Sequence, residues 1–273
     1  MKPNTFILAL DIGNTNTAAG FFQKKKLAGE AHFRSEPERT LDETWLLLRA
    51  ALDHHGIPRK EIEGVVISSV VPALTDVYAQ IAKEYLHHAP VIIRGGPDIG
   101  LVIKYDDPTL LGADRICSSV AVYERYGGPA IVVDFGTATT YDVISKNGEF
   151  LGGVIAPGIA TSASELFRRT AQLPSVPLQF PANVLGNNTA SSLQSGILFG
   201  AVESADGMIR RIKRVAGRHA IVVATGGFAT LIAEMSHEIR YTHRSLVLEG
   251  ARILYDRLRR KRELTPPPAV KKR

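Results

Sequence analysis

The sequence predicts an α/β protein built from two duplicated halves, each a three-stranded meander followed by helices and further strands. The first indication is Phe6-Ile7-Leu8-Ala9-Leu10, an apolar run that ends on Asp11, turns at Gly13-Asn14 and resumes as a second apolar-rich run from Ala18 to Phe22. Apolar strand, Gly-Asn turn and apolar strand make the pattern of a β-hairpin. The second is a repeat of this design, Ala130-Ile131-Val132-Val133-Asp134 followed by Gly136, a hydroxyl-rich turn and another strand. Repetition at this scale implies duplicated architecture. The third is length: 273 residues suit one large domain or two of ordinary size, and the duplication favours two. The halves are placed at residues 1–112 and 113–256, with residues 257–273 as a basic helix end and tail.

In the first half, residues 26–35 read as a third, more polar strand after the turn at Lys24-Lys25-Lys26. Thr40-Leu41-Asp42-Glu43 is a capping pattern, and Trp45, Leu46, Leu47, Leu48, Ala51 and Leu52 recur at helical spacing until Gly56. A buried strand at residues 65–71 is closed by Pro72; an amphipathic helix over residues 73–86 and a strand at 91–93 complete an α/β half. The pairs His54-His55 and His87-His88 end the two helices, where imidazoles complement the helix dipole. Adjacent side chains point to different faces, which argues against metal binding. Residues 95–111, rich in Gly, Pro and Asp, form an irregular segment of the kind that carries function. It ends at Gly112-Ala113-Asp114-Arg115, where a helix begins and runs to Tyr126.

The second half repeats the order: strands at 131–134, 139–145 and 150–155 with a turn at Asn147-Gly148, a break at Pro157-Gly158, and a helix over 163–171. A proline-containing loop over 173–185 leads to a long helix from about Ser191 to Val215. A strand over 219–224 then ends in Thr225-Gly226-Gly227 before a short helix from Phe228.

Composition bounds the function. The 45% hydrophobic content builds real cores, and 22% charged residues are ordinary for a globular protein. The net charge of +6 is not spread through the chain: from Arg257 to Arg273 eight Lys/Arg face one Glu, so that segment carries +7 and the other 256 residues sum to −1. The basicity thus belongs to a terminal segment, read as a solvated helix face with a disordered Pro/Lys end, and nucleic acid is not the expected partner. No apolar run reaches membrane-spanning length, no signal-peptide core precedes the first strand, and the single cysteine, Cys117, excludes an internal disulfide. A cytoplasmic location is expected. Cys117 lies in an apolar helical pattern and reads as a buried small residue.

The two Asp-x-Gly turns point to phosphate. A carboxylate where a buried strand ends can hold Mg²⁺ directly or through water; a glycine lets the backbone approach, and turn N–H groups can hold phosphate oxygens. Read alone, the first is equally a hairpin with a solvated Asp. Two such turns facing each other across a cleft could grip a nucleotide from both sides, and the chain has neither a P-loop nor a strand-linked G-x-G-x-x-G. The Thr225-Gly226-Gly227 turn is read as an adenosine contact, because glycines let a flat ring or ribose approach the backbone. Asp114-Arg115 has two readings on sequence alone. Asp114 either favours a helix N-terminus beside a surface arginine, or is a carboxylate poised to take an alcohol proton beside a guanidinium that grips a substrate carboxylate.

Asp11-Ile12-Gly13-Asn14-Thr15-Asn16, Gly112-Ala113-Asp114-Arg115, Asp134-Phe135-Gly136-Thr137-Ala138-Thr139-Thr140, Gln194-Ser195-Gly196 and Ala224-Thr225-Gly226-Gly227, in this order, resemble type III pantothenate kinase. The resemblance covers nearly the whole chain. It implies two ribonuclease-H-like halves flanking a nucleotide cleft, as in the sugar-kinase, actin and chaperone-ATPase superfamily, and ATP-dependent phosphorylation of the primary hydroxyl of pantothenate, the first step of coenzyme A synthesis. It further implies that Asp11, Ile12, Gly13, Asn14, Thr15, Asn16, Thr17 and Ala18 hold the ATP phosphates and Mg²⁺, with Thr137 also at ATP and Thr225, Gly226 and Gly227 on the adenosine side. Asp134 would hold a monovalent cation, K⁺ or NH₄⁺. Asp114 would be the general base; Tyr105, Gly112, Ala113, Asp114, Arg115 and Thr189 would contact pantothenate; a homodimer would share the site.

The chain departs from the family pattern at Thr242-His243-Arg244-Ser245-Leu246-Val247, where an Asp-Pro-Asp-like segment is usual, and in its basic Pro-rich tail. Alternative readings are a family relative acting as a transcriptional accessory factor, and a superfamily kinase acting on another small alcohol.

Overall fold

The computed structural model describes residues 5–264. In chain order the elements are β1 (Phe6–Ile12), β2 (Asn16–Gln23), β3 (Lys26–Arg34), α1 (Leu41–His54), β4 (Ile62–Ser69), α2 (Pro72–Glu84), β5 (Val91–Ile92), β6 (Val102–Ile103) and α3 (Ala113–Tyr126). There follow β7 (Ala130–Phe135), β8 (Ala138–Ile144), β9 (Glu149–Pro157), α4 (Ile159–Arg169), α5 (Thr189–Ala216), β10 (Ile221–Thr225), α6 (Ala229–Ala233), β11 (Tyr241–Thr242) and α7 (Leu246–Leu264). By compactness the described residues divide into 5–121 with 247–264, and 122–246. The C-terminal helix therefore returns to the first unit.

The first unit holds a five-stranded sheet ordered β3-β2-β1-β4-β5, with β1, β2 and β3 antiparallel and β4 and β5 parallel to β1. Strand alternation decides its two faces. Leu8, Leu10 and Ile12 of β1 join Phe21, Val65 and Ile67 against Trp45, Leu48 and Leu52 of α1 and Leu74, Tyr78 and Ile81 of α2. Asp11 therefore points to the opposite face. Helix α7 packs there: a Cβ on Gly20 would meet Leu248 Cδ1 at 3.0 Å, and one on Gly64 would lie 1.8 Å from Tyr255 Oη. Gly64 explains why β4 starts at Ile62 rather than at the expected Val65, since its bare backbone lets the strand run beneath the tyrosine. The capping pattern before α1 forms as read: Thr40 Oγ1 accepts from the Glu43 N–H, and the Glu43 carboxylate accepts from the Thr40 N–H at 2.9 Å. The histidine pairs take backbone partners, His55 Nε2 meeting Glu30 O at 3.1 Å and His88 Nε2 meeting Ile62 O at 2.8 Å.

Within the second unit the strands run β11-β10-β7-β8-β9, the same order with the same directions. Ile131, Val133, Phe135 and Tyr141 pack against Leu198, Val202, Ala205 and Ile209 of α5 and Ile232 of α6. The buried Asp206 accepts from Ser236 Oγ at 2.5 Å and from the His237 N–H at 2.8 Å, fixing the loop beyond α6. Burial first, then the Asp206 charge, push the Tyr141 hydroxyl up to about 12.

The duplication is thus real at the level of strand order. Helix α5 begins two residues earlier than the expected Ser191, because Asn188 and Ser191 form a reciprocal cap: Asn188 Oδ1 accepts from the Ser191 N–H at 2.9 Å, and Ser191 Oγ from the Asn188 N–H at 3.3 Å. Helix α4 likewise begins at Ile159, directly after Gly158. The two-residue strands β6 and β11 were not foreseen; nothing so short carries a periodic signal. The expected Pro/Lys tail from residue 265 lies outside the described residues. Among those described, no helix is long and apolar enough to cross a membrane.

One close packing contact gives a stability prediction. A Cβ on Gly250 would sit 1.9 Å from Cys117 O, a backbone atom that no rotamer change can move. Gly250→Ala should therefore lower stability by about 2 kcal/mol or more, the scale of overpacking. Gly200→Ala, in α5 with nothing within 4 Å of a built Cβ, should raise it by about 0.5–1 kcal/mol. Thermal and denaturant unfolding of the two variants checks both signs.

Candidate functional site

Asp11 is the penultimate residue of β1, paired across the sheet with Ala18 on one side and Ser68 on the other. Ser68 Oγ donates to Asp11 Oδ1 at 3.3 Å. The turn beyond it is closed by Gly13 N–H donating to Asn16 O at 3.0 Å, and a Cβ on Gly13 would crowd that oxygen at 3.1 Å. Asn14, Thr15 and Asn16 are exposed. Ile12 and Thr17 differ from them: Ile12 lies in the core, leaving only its backbone available, and the buried Thr17 hydroxyl meets Ser35 Oγ at 2.8 Å. Ser35 N–H also donates to Thr15 O at 3.0 Å, so the end of β3 braces the turn.

The start of α3 lies in the same unit. Asp114 Oδ1 accepts from the Arg115 N–H at 2.8 Å, and a Cβ on Gly112 would lie 2.5 Å from that oxygen, which accounts for the glycine. Burial raises the Asp114 carboxyl above its ordinary value, opposed by the Arg115 N–H and the Arg115 charge. Arg115 is itself buried, and its Nη1 donates to Tyr105 Oη at 3.4 Å with the guanidinium 5.9 Å from the Tyr105 ring centre. One turn on, burial raises the Cys117 thiol strongly; the negative charges of Asp11 and Asp114 add to this, while a hydrogen bond with Ser68 opposes it. Asp11, Ser68, Cys117 and Asp114 therefore form one electrostatic neighbourhood. Ser68 was missed by sequence reasoning, because its place beside Asp11 comes from the register of β4 against β1, as that of Thr225 beside Asp134 comes from the register of β10 against β7.

The second unit repeats the strand-end carboxylate. Asp134 is penultimate in β7 and pairs with Thr140 and Thr225. Gly136 N–H donates to Ala138 O at 3.1 Å, closing a turn whose Thr137 is exposed. The Thr137 carbonyl is held from the start of α4 by Gly158 N–H at 3.1 Å and Thr161 Oγ1 at 2.7 Å. Gly226, at φ +90°, brings backbone so close that a Cβ would stand 2.4 Å from Asp134 Oδ1. Thr225 is buried; Gly227 is exposed. Thr189 is the exposed first residue of α5. Behind it, Gln194 Nε2 donates to Pro177 O at 2.9 Å and Ser195 Oγ to Val184 O at 2.5 Å, so this motif holds the preceding loop. At the altered segment before α7, His243 N–H donates to Ala224 O at 2.9 Å, and its ring lies between Tyr126 Oη at 2.5 Å and Arg125 Nη1 at 3.2 Å.

A cavity of about 470 Å³ in this unit is lined by Phe135, Thr139, Tyr141, Ser162, Ser192 and neighbours. Phe135 faces α5 while Asp134, adjacent in the strand, faces away, so the cavity and the Asp134 carboxylate occupy opposite faces of the sheet. Among the described residues no group of three His, Cys, Asp or Glu could hold a metal ion. Single carboxylates at strand ends suit an ion bound mainly by substrate phosphates, as Mg²⁺ usually is.

The comparisons with known proteins agree with this chemistry. The family model described as type III pantothenate kinase matches residues 7–211. The chain is 47% identical over 251 residues to the type III pantothenate kinase of Moorella thermoacetica, covering 92% of this chain and 99% of that protein. It is 44% identical over 249 residues to that of Halalkalibacterium halodurans, covering 91% and 98%. Among solved structures, one described as a Baf family transcriptional activator from Campylobacter jejuni matches with a TM-score of 0.56 at 21% identity, over 93% of this chain and 99% of that one. The ethanolamine utilization protein EutJ from Carboxydothermus hydrogenoformans matches with a TM-score of 0.55 at 11% identity, over 92% and 90%. The structural likenesses carry the fold alone. By family model and by sequence identity over nearly its full length, this chain belongs to the type III pantothenate kinase family.

Proposed function

We propose that the protein transfers the γ-phosphoryl group of ATP to the primary hydroxyl of pantothenate, releasing ADP and opening coenzyme A synthesis. The observation that carries the mechanism is Asp114: a half-buried carboxylate with a raised pKa, at the start of α3 beside the buried Arg115. Phosphoryl transfer asks mainly for in-line positioning and charge neutralisation, so one carboxylate that accepts the alcohol proton as the O–P bond forms suffices. Asp114 takes that role. Arg115, held against Tyr105, is the cation for the pantothenate carboxylate. Gly112, Ala113 and Tyr105 complete the acceptor side, with Thr189 assigned there through the family resemblance.

The ATP phosphates are assigned to the exposed turn from Gly13 to Asn16 with the flanking backbone of Ile12, Thr17 and Ala18, and to Thr137. Thr225, Gly226 and Gly227 are assigned to the adenosine side, where the buried Thr225 offers backbone rather than side chain. Asp11 is the residue that would hold Mg²⁺, which neutralises phosphate charge; Ser68 orients its carboxylate. Asp134 is the residue for a monovalent cation, K⁺ or NH₄⁺, which would supply positive charge near the transferring group. A side chain at position 226 would collide with the Asp134 carboxylate oxygen, and the glycine avoids this.

A homodimer is part of the proposal. Leu151 and Ile155 on β9 and Leu166 on α4 are 42%, 63% and 39% exposed, and a second copy would cover them. A cytoplasmic location is supported by the single buried cysteine. The division into residues 1–112, 113–256 and 257–273 is kept as a proposal about the duplicated halves. The accessory-factor reading gains nothing from the Campylobacter likeness, which at 21% identity speaks only to fold.

Asp114→Asn should cut kcat by about 10²–10⁴-fold, the usual worth of a general base, with ATP binding retained. Wild-type kcat/KM should rise through the raised Asp114 pKa and level off above it, since only the ionised form accepts a proton. The linkage sign follows. A carboxyl whose folded pKa is raised stabilises the fold below its unfolded pKa and loses that stabilisation as pH rises through the folded value. Asp114→Asn should therefore match the wild-type melting temperature in acid and equal or exceed it at pH 7. Near-wild-type turnover in this variant would remove Asp114 from the base role.

Asp134→Asn should abolish the difference between K⁺ or NH₄⁺ and Na⁺ buffers in an assay of pantothenate-dependent ADP release, by lowering the rate in K⁺ to the Na⁺ level. An undiminished K⁺ stimulation would assign the cation elsewhere.

A further inference from the structure

The basic end of α7 has a use that its composition does not suggest. Arg257 Nη1 donates to Ile99 O at 2.8 Å, and Lys261, one turn later on the same face, pairs with Asp98. Arg259, on another face, reaches Glu63 at 3.8 Å. Both Arg257 and Lys261 thus grip residues 98–99, where the irregular segment between β5 and α3 sets out. Gly100 follows at φ +78°, and a Cβ there would lie 2.3 Å from Arg257 Nη1, so backbone and guanidinium are fitted to each other. Ile99 and Leu101 on either side are buried.

The segment is folded on itself beyond that point. A Cβ on Gly95 would meet Pro108 O at 2.1 Å, Asp107 Oδ1 accepts from the Thr109 N–H at 2.9 Å and from its hydroxyl at 2.6 Å, and Tyr105 Oη accepts from Arg115 at 3.4 Å. The excursion is thus tied by side chains to α3 through Arg115 and to α7 through Arg257 with Lys261. The first is made by a residue assigned to substrate; the second is made by residues assigned to nothing.

We propose that Arg257 is a positioning residue for the acceptor alcohol: by fixing the carbonyl of Ile99 it fixes the segment that carries Tyr105 and leads into Gly112-Ala113-Asp114. Lys261 supports it through Asp98. A guanidinium bonded to a backbone carbonyl sets the path of the chain whatever the side chain at position 99, and the left-handed Gly100 lets the segment turn directly beneath it. This rests on the acceptor-side assignment of Tyr105. It separates acceptor from nucleotide, because the residues assigned to ATP lie on other segments.

Arg257→Met is expected to raise KM for pantothenate about tenfold, the size of one lost charge-assisted hydrogen bond, with kcat and KM for ATP within about twofold of wild type. Arg257→Lys should recover part of that loss, and Lys261→Gln, at an exposed site, should show a smaller shift of the same kind. Arg49→Ala, which removes only a 3.7 Å pair with Asp53 on α1, should leave all constants unchanged. Amide exchange of residues 98–111 reads the tie without turnover and should be faster in Arg257→Met. Unchanged constants with unchanged exchange would overturn the proposal, as would a common fall of kcat and both affinities together with the melting temperature, the mark of a structural role. Should wild type itself lack pantothenate-dependent ADP release, the substrate assignment fails; unchanged exchange in Arg257→Met would separately show that the tie is not made.

Discussion

A carboxylate at the end of a central strand is the constraint on which both units depend. β1 and β7 each lie between two other strands, with one face given to a hydrophobic core, so an acidic residue is tolerated only near the strand's end and only on the other face. Strand alternation places Asp11 and Asp134 there. Each is followed two residues later by a glycine whose N–H closes the turn, so the backbone reverses directly after the carboxylate. The parallel neighbour then supplies a hydroxyl-bearing residue at the same register, Ser68 in one unit and Thr225 in the other.

The copies have diverged around this shared frame in ways that suit different tasks. Asp11 has Ser68 as donor and Cys117 behind it, a neighbourhood sealed by α3. Asp134 instead has Gly226, where the absent side chain lets backbone come within contact distance of the carboxylate. The first arrangement aims a hydroxyl at the carboxylate; the second sets backbone beside it. Asp114, the proposed general base, stands at a helix start, where burial keeps its affinity for a proton above that of an ordinary carboxyl. Arg115 prevents that shift from going further, since its N–H and its charge both favour the ionised form. A base needs this balance: enough proton affinity to accept from an alcohol, and enough ionisation to be free when the alcohol arrives.

Most of the architecture was legible because it rests on local signals. The two meanders, α1 with its capping box, α2, α3 and α5 announce themselves through alternation, helical spacing or caps, and the strand-end aspartates through their repetition. What could not be read depends on contacts far apart in sequence. The start of β4 at Ile62 is permitted by Tyr255 lying over Gly64. The site role of Ser68 follows from its register against Asp11, which a single strand does not disclose. Cys117 was rightly expected to be buried, yet its exposure to the charges of Asp11 and Asp114 comes from contacts far apart in sequence. Residues 95–111 likewise combine their own turns with contacts from distant Arg257 and Arg115, and only the turns are visible in the local sequence.

The charge distribution shows how composition misleads when it is read without geometry. A segment carrying +7 beside a body of −1 looks like a solvated face, because long cationic side chains are at home in water. In the described part of that segment, however, Arg257 spends its guanidinium on a main-chain carbonyl, and Lys261 and Arg259 face Asp98 and Glu63. Exposed pairs of this kind add little to stability. Their worth in the proposal is geometric: Asp98 and the Ile99 carbonyl stand where the chain sets out from β5 toward Asp114, and a helix end can fix the start of that path. Cationic side chains on a helix end, long enough to reach across and rigidly based on a helix that is packed through Gly64 and Gly250, provide that fixation from outside the segment.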